Sequence, residues 1–377
     1  VDSIPFNFPA VVGRELEYVS QAAASGHIAG DGPFTRRCEA LLQQQTGAGR
    51  ALLTTSCTHA LEMSALLADI GPGDEVVVPS FTFVSTANAF VLRGARPVFV
   101  DIRRDTLNID EQLLPGLLRP STKAIVVVHY AGVACEMDAI LETAGRAGVP
   151  VIEDNAHGLF GQYHGRPLGS LGTMATLSFH ETKNVTCGEG GALLVNDLDL
   201  VARAEILREK GTNRSRFFRG QVDKYTWVDL GSSYIPSDLL AAFLLGQLEA
   251  FETIQARRRH LFETYAAALQ SWADANGVRL PFIPAHCEPA WHMFYLLLPS
   301  LEARQRFIAH MKARSVLSVF HYLPLHLAPM SARWNVATGA CPIAEDASDR
   351  LARLPFFTTM TPDTQARVIE AIISFQA

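Results

Sequence analysis

The chain has 377 residues, of which 48% are hydrophobic and 19% charged, the balance of a globular enzyme long enough for two domains rather than a disordered chain. Its net charge of −6 gives no general attraction to nucleic acid or anionic membrane, no apolar run is long enough to span a bilayer, and the opening VDSIPFNFPA lacks the basic stretch and apolar core of a secretory leader. The six cysteines (38, 57, 135, 187, 287, 341) are scattered without a C-x-x-C pair, so reduced thiols in a cytoplasmic protein are expected, with neither a zinc site nor a redox motif.

No internal repeat or low-complexity tract interrupts the chain. From about 50 to 196, apolar runs read as strands at 51–55, 75–79, 96–101, 123–129, 149–154, 175–179 and 191–196. Helical patterns lie between several of them, as at 58–70 and 136–148. Near-continuous apolar strands alternating with helices predict an α/β domain with a mostly parallel sheet covered on both faces. Residues 237–273 read as one long helix leading out of that domain. Beyond 280, short strands at 294–298 and 318–322 mix with helices, the last over 362–375, as in a smaller α+β domain. The predicted division is 1–250 for the large domain, with an N-terminal segment that the sequence does not place, and 251–377 for the small one.

In open α/β sheets the ligand crevice lies at the carboxyl ends of the strands. Three features fall there. The stretch TTSCTHALEM (54–63) runs from a strand through Ser56, Cys57 and Thr58 into a helix, where free amides and hydroxyls can hold an anion; an ordinary N-cap by Ser56 or Thr58 explains the same residues. No G-x-G-x-x-G accompanies it, so a dinucleotide site is not favoured. In VPVIEDNAHG (149–158), Asp154 ends a strand and either caps the next turn or pairs with a cation on a ligand. His157 is a core histidine, a ligand contact or a base, and Glu153, on the opposite face, is structural. The third feature is SFHETKNVTCGEGG (178–191). Ser178 ends a strand, and Lys183 stands before a glycine run that allows a sharp turn or a close backbone approach.

An anion cradle, a carboxylate and a lysine in that chain order suit pyridoxal 5′-phosphate. The cofactor has a phosphate to anchor, a ring nitrogen that works best protonated, and an aldehyde that forms a Schiff base with a lysine. Asp154 would hold the ring nitrogen protonated. Lys183 would need a lowered pKa, which burial beside a cationic ring supplies.

The sequence resembles the DegT/DnrJ/EryC1/StrS family of sugar-nucleotide aminotransferases over nearly its whole length. The matching stretches are GDGPFTRRCE, PSFTFVSTANAFVLRGARPVFVDI, HYAGVACEMD, SFHETKN, GEGGALLVND and FHYLPLH. The block 209–234, EKGTNRSRFFRGQVDKYTWVDLGSSY, is similar to the branch that aminates TDP-4-keto-6-deoxy-D-glucose with glutamate as donor. The resemblance implies an aspartate aminotransferase-like fold, type I among pyridoxal-phosphate-dependent transferases, and a homodimer sharing its active sites. It implies that Lys183 forms the Schiff base, Asp154 partners the ring nitrogen and Phe83 stacks on the ring. Cys57, Thr58 and Ser178 would contact the phosphate, with His157 near the phenolic oxygen. The sequence departs from the family's pattern at Asn155, where a small residue is usual, and at Ser233, where many members bring an asparagine from the neighbouring subunit to the phosphate.

Read from residue types alone, block 209–234 interleaves Arg214, Arg216, Arg219 and Lys224 with Phe217, Phe218, Tyr225 and Trp227. Such a mixture serves single-stranded nucleic acid, a nucleotide diphosphate or a dimer contact; the net acidity disfavours the first. Arg214, Arg219, Tyr225 and His321 are the expected substrate contacts, and Tyr322 and His326 are further candidates for lining the sugar pocket. Two other functions remain. A sugar dehydratase of the same fold would carry histidine in place of Lys183, and a non-enzymatic regulator would need an added domain or a basic patch.

Overall fold

A computed structural model describes residues 3–335 and 337–376. Its larger sheet has seven strands: β1 (Arg50–Thr54), β2 (Glu75–Pro79), β3 (Arg96–Val100), β4 (Thr122–Val128), β5 (Val151–Asp154), β6 (Met174–Ser178) and β7 (Gly191–Val195). Their order is β1-β7-β6-β5-β4-β2-β3. The pairs among β2, β3, β4, β5 and β6 are parallel, and β7 runs antiparallel between β1 and β6. This is the large, mostly parallel sheet expected of fold type I.

The strands are apolar throughout because both faces are covered. Val76 and Val78 join Val126 and Ile152 in a core with Ala60 and Leu61 of the helix Cys57–Leu67. Val77, between them, faces the other way, into a core with Ile125, Val127 and Met137 of the helix Met137–Ala147. Leu53, Leu177 and Leu194 pack with Leu244, Leu245 and Leu248.

The reading of 237–273 as one helix is corrected. The chain forms two helices, Asp238–Glu249 and Phe251–Asn276, meeting at Ala250 (φ −93°, ψ 11°). The first lies within the large core, and its Asp238 carboxylate accepts from the Phe34 and Thr35 amides and the Thr35 hydroxyl, capping the helix Pro33–Thr46. The second helix turns away. Its Ile254 still belongs to the large core, whereas Leu261, Tyr265 and Leu269 belong to a separate core with Phe294, Phe307 and Val368. Ala250 is a good helix former, so no local signal announces the break; it follows from packing against two cores.

The C-terminal part carries a three-stranded antiparallel sheet of β8 (Tyr295–Leu297), β9 (Val319–Phe320) and β10 (Leu351–Arg353), in the order β8-β10-β9. The central strand β10 was not anticipated, because three residues are too few for an alternation signal. The N-terminal segment touches both cores. Ile4 pairs with Val316 and is buried in the C-terminal core, while Tyr18 of the helix Glu15–Ala24 is buried against the large one.

Candidate active site

The carboxyl ends of β5 and β6 put Asp154 and Ser178 along one edge of the sheet. Because β7 is antiparallel, its first residue, Gly191, arrives at the same edge, opposite both Thr54 and Ser178. A Cβ on Gly191 would lie 2.4 Å from the Cys57 amide nitrogen and from the Ser56 carbonyl carbon, so the close approach demands glycine. Gly188 supplies a turn at φ +85° just upstream. The glycine run thus lets the Lys183 loop pass directly beneath the start of the helix Cys57–Leu67. Ser56 is the N-cap of that helix, its Oγ accepting from the His59 amide at 3.1 Å. The Cys57 and Thr58 amides sit in the helix's first turn, where no intrahelical acceptor exists.

Around this junction lies a cavity of about 540 Å³. The structure brings Cys57, Thr58, Phe83, Asp154, His157, Ser178 and Lys183 together along its lining, with His321 and Tyr322 from the C-terminal part. Asp154 is buried; its Oδ2 accepts from Thr86 Oγ1 at 2.7 Å and its Oδ1 from the Ala156 amide at 3.3 Å. Burial pushes the carboxyl above its ordinary value, while the Thr86 hydroxyl, the Ala156 amide and Lys183 pull it down. Burial presses the Lys183 ammonium down to about 8, with Arg353 adding to the effect and Asp154 opposing it. The neighbouring Glu153 faces away, as anticipated for a structural residue. It accepts from His129 Nε2 and from the Gly169, Leu171 and Gly172 amides at 2.6–2.8 Å.

His157 and His321 also sit in this cavity, and burial drives both imidazoles well below their ordinary pKa. His157 Nδ1 is buried without a hydrogen-bond partner. His321 Nε2 lies 3.3 Å from an Arg353 guanidinium nitrogen, and its Nδ1 lies 3.0 Å from Tyr130 Oη. Arginine can only donate, so His321 Nε2 accepts and Nδ1 donates to the tyrosine. His326 takes no part: it is buried between Ser80 Oγ, 2.6 Å from Nδ1, and Glu345 Oε1, 2.9 Å from Nε2. The sequence reading missed His292 and Arg353, which line the cavity from the C-terminal part. Arg353 sits on the unanticipated β10 and pairs with no carboxylate among the described residues.

The family profile of the DegT/DnrJ/EryC1/StrS aminotransferases matches residues 9–373. The chain belongs to this aminotransferase family. It is 33% identical over 377 residues to the spore coat polysaccharide biosynthesis protein SpsC of Bacillus subtilis, covering 98% of this chain and 96% of that one. Among solved structures, the aminotransferase TlmJ from Streptoalloteichus hindustanus superposes with a TM-score of 0.90 at 32% identity, covering 98% of each chain. Spr1654 from Streptococcus pneumoniae in its PLP form gives 0.91 at 25% identity, covering 99% of this chain and 98% of that one. The aminotransferase family uses pyridoxal phosphate, and the donors around the cavity fit it. Free amides at a helix start suit a phosphate, a buried carboxylate suits a protonated ring nitrogen, and a lysine held down to about 8 suits an aldehyde.

Four expected site residues are not brought to this cavity within one chain. Ser233 pairs with Glu209 in a β-bridge. Arg219 donates to both carboxylate oxygens of Glu205, at 2.7 and 3.3 Å. Arg214 donates to Glu209 at 3.2 Å and lies over the rings of Phe218 and Tyr225, at 5.2 and 5.9 Å. Glu205 ties the block to the helix Val201–Arg208, and the Arg214–Glu209 pair is internal to the block. Both arginines line a second cavity of about 480 Å³. Among the described residues no helix is long and apolar enough to cross a membrane, and no group of three His, Cys, Asp or Glu side chains could hold a metal ion.

Proposed function

We propose that this aminotransferase acts on a nucleotide-linked sugar, moving an amino group from glutamate to C4 of TDP-4-keto-6-deoxy-D-glucose. The observation that carries the reading is a lysine held down to about 8 in one cavity with a buried carboxylate at the end of a parallel strand. Pyridoxal phosphate supplies an electron sink when bound; the chain's residues supply the rest. The Cys57 and Thr58 amides, with the Thr58 and Ser178 hydroxyls, anchor the phosphate. Asp154 would keep the ring nitrogen protonated, Phe83 would cover a ring face, and His157 would offer Nδ1 to the phenolic oxygen. Lys183 Nζ would hold the aldehyde and, when free, would serve as the base that moves a proton at the substrate carbon. Arg353, a cavity cation without a carboxylate partner, receives a carboxylate of glutamate.

The nucleotide is assigned to block 209–234. Its arginines and the exposed Phe218, Tyr225 and Trp227 are suited to a diphosphate and a base, and they lie outside their own chain's cavity. In this reading a second copy of the chain presents them, with Ser233, at the first copy's Lys183, and the active unit is a homodimer. A dehydratase of this fold is disfavoured by Lys183. The test is to incubate the loaded enzyme and glutamate with 3-keto and 4-keto sugars, TDP- and UDP-linked, and to locate nitrogen in each product by NMR. Amination at C4 of the TDP-4-keto sugar is expected. Amination at C3, or equal rates on the two ketones, would refute the assignment. The missing methyl of a UDP sugar should matter less, about 1–3 kcal/mol.

A further inference from the structure

His292 lies just ahead of β8, more than 100 residues from Lys183 in sequence, yet it lines the Lys183 cavity and is only 3% exposed. Its Nδ1 lies 2.8 Å from Oδ1 of Asn184, the residue that follows Lys183. The Asn184 amide nitrogen donates to the Ala290 carbonyl at 2.5 Å. A carbonyl can only accept, so this bond fixes which end of the Asn184 side chain is oxygen, and His292 Nδ1 must carry the proton. The backbone at this point is itself held. Arg258, buried on the helix Phe251–Asn276, donates to the Trp291 and His292 carbonyls at 2.9 and 2.6 Å. The ring of His292 stacks on that of His157, with centroids 4.3 Å apart and planes 16° off parallel.

We propose that His292 is a positioning residue for Lys183: its Nδ1–H grips Asn184 and thereby fixes how the adjacent lysine enters the cavity. Lys183 sits on a loop outside helix and strand, its amide donating to the His180 carbonyl at 2.9 Å, and Asn184 is its nearest side-chain tie to the C-terminal part. The backbone of Asn184 moves with that of Lys183, so a lost tie is felt directly at Nζ. Misplacing a reacting group by about 1 Å can cost about 100-fold in rate. The inference rests on the reading of Lys183 as the reacting amine.

Two variants separate the hydrogen bond from the stack. His292→Phe keeps an aromatic ring against His157 but removes the donor. His292→Asn puts an amide nitrogen near the position of Nδ1 and removes the ring. The first readout is the kcat and KM for glutamate of the loaded enzyme. The second is trace acetylation of Lys183 in the cofactor-free protein, measured against exposed Lys224. His292→Phe is expected to lower kcat at least tenfold, leave KM within about threefold, and change Lys183 labelling at least threefold. His292→Asn is expected to recover most of the lost rate. Wild-type behaviour of His292→Phe in both readouts would overturn the proposal, and with loss in His292→Asn alone it would assign the role to the stack; failure of His292→Asn to recover any of the rate lost in His292→Phe would overturn it as well. Should His292→Phe not fold, Asn184→Ala removes the acceptor instead and must show the same loss; a wild-type rate there also overturns it. Lys183→Ala is run alongside. Retained turnover in that variant would sink the reading of Lys183 itself, while labelling in the His292 variants would still decide the tie.

Discussion

The low pKa of Lys183 makes a prediction that needs neither substrate nor cofactor. At about 8, about a quarter of the lysine is neutral at pH 7.5, against about 0.1% for an ordinary lysine near 10.5, a gain of roughly 200-fold in free amine. The same depression carries a stability term. Between about 8 and 10.5 the unfolded chain holds a proton on this lysine that the folded chain does not, so stability rises with pH through that window. Below it the folded state bears the full penalty of a buried ammonium, about 3 kcal/mol at ~1.4 kcal/mol per pH unit. Lys183→Met removes the penalty. Urea unfolding of the cofactor-free proteins should therefore find Lys183→Met more stable than wild type by up to about 3 kcal/mol below pH 8. That advantage should shrink as pH rises and vanish above about 10.5. Acetylation of wild-type Lys183 against pH should show a midpoint near 8. A midpoint at 10 or above, or a stability difference that does not change with pH, would refute the argument that burial primes this amine.

Asp154→Asn should retain the cofactor but slow the glutamate half-reaction on the order of 100-fold or more, because an amide cannot stabilise a ring cation; near-normal single-turnover rates would reduce Asp154 to a turn cap. Gly191→Ala, whose Cβ would lie 2.4 Å from the Cys57 amide nitrogen, should weaken cofactor binding more than tenfold by deforming the helix start, and an unchanged Kd would argue against that helix as the phosphate cradle. Arg353→Met should raise KM for glutamate by about 10–100-fold, the worth of a charge-assisted hydrogen bond at ~1.5–3 kcal/mol, while KM for the keto sugar changes little. Equal effects on both substrates would place Arg353 elsewhere in the reaction.

The residues legible in the sequence are those that strand ends deliver. Asp154 and Ser178 each close an apolar run, and the glycines after Lys183 mark a backbone that must pass close to something. The partner in that approach, the start of the helix at Cys57, is set by β7 lying antiparallel between β1 and β6, and strand order is not written in any one segment. His292 and Arg353 were missed for a related reason. Each comes from the C-terminal part, one ahead of a three-residue strand and the other ending one, and neither has a local pattern to distinguish it from a structural residue. Block 209–234 reads in sequence as a set of free cations, but Glu205 and Glu209 hold Arg219 and Arg214. The Arg219 pair reaches 14 residues back, to the preceding helix, and the Arg214 pair forms where the chain turns between the two helices, so neither shows as a helical i, i+4 spacing.

The central claim is that Lys183 is the amine joined to the cofactor. Borohydride reduction of the pyridoxal-phosphate-loaded protein, followed by proteolysis and mass mapping, tests it most directly. The account predicts a single stable cofactor adduct on the peptide containing Lys183, lost in Lys183→Ala. An adduct on Lys123, Lys210, Lys224 or Lys312 in place of Lys183, or one that survives in Lys183→Ala, would contradict it.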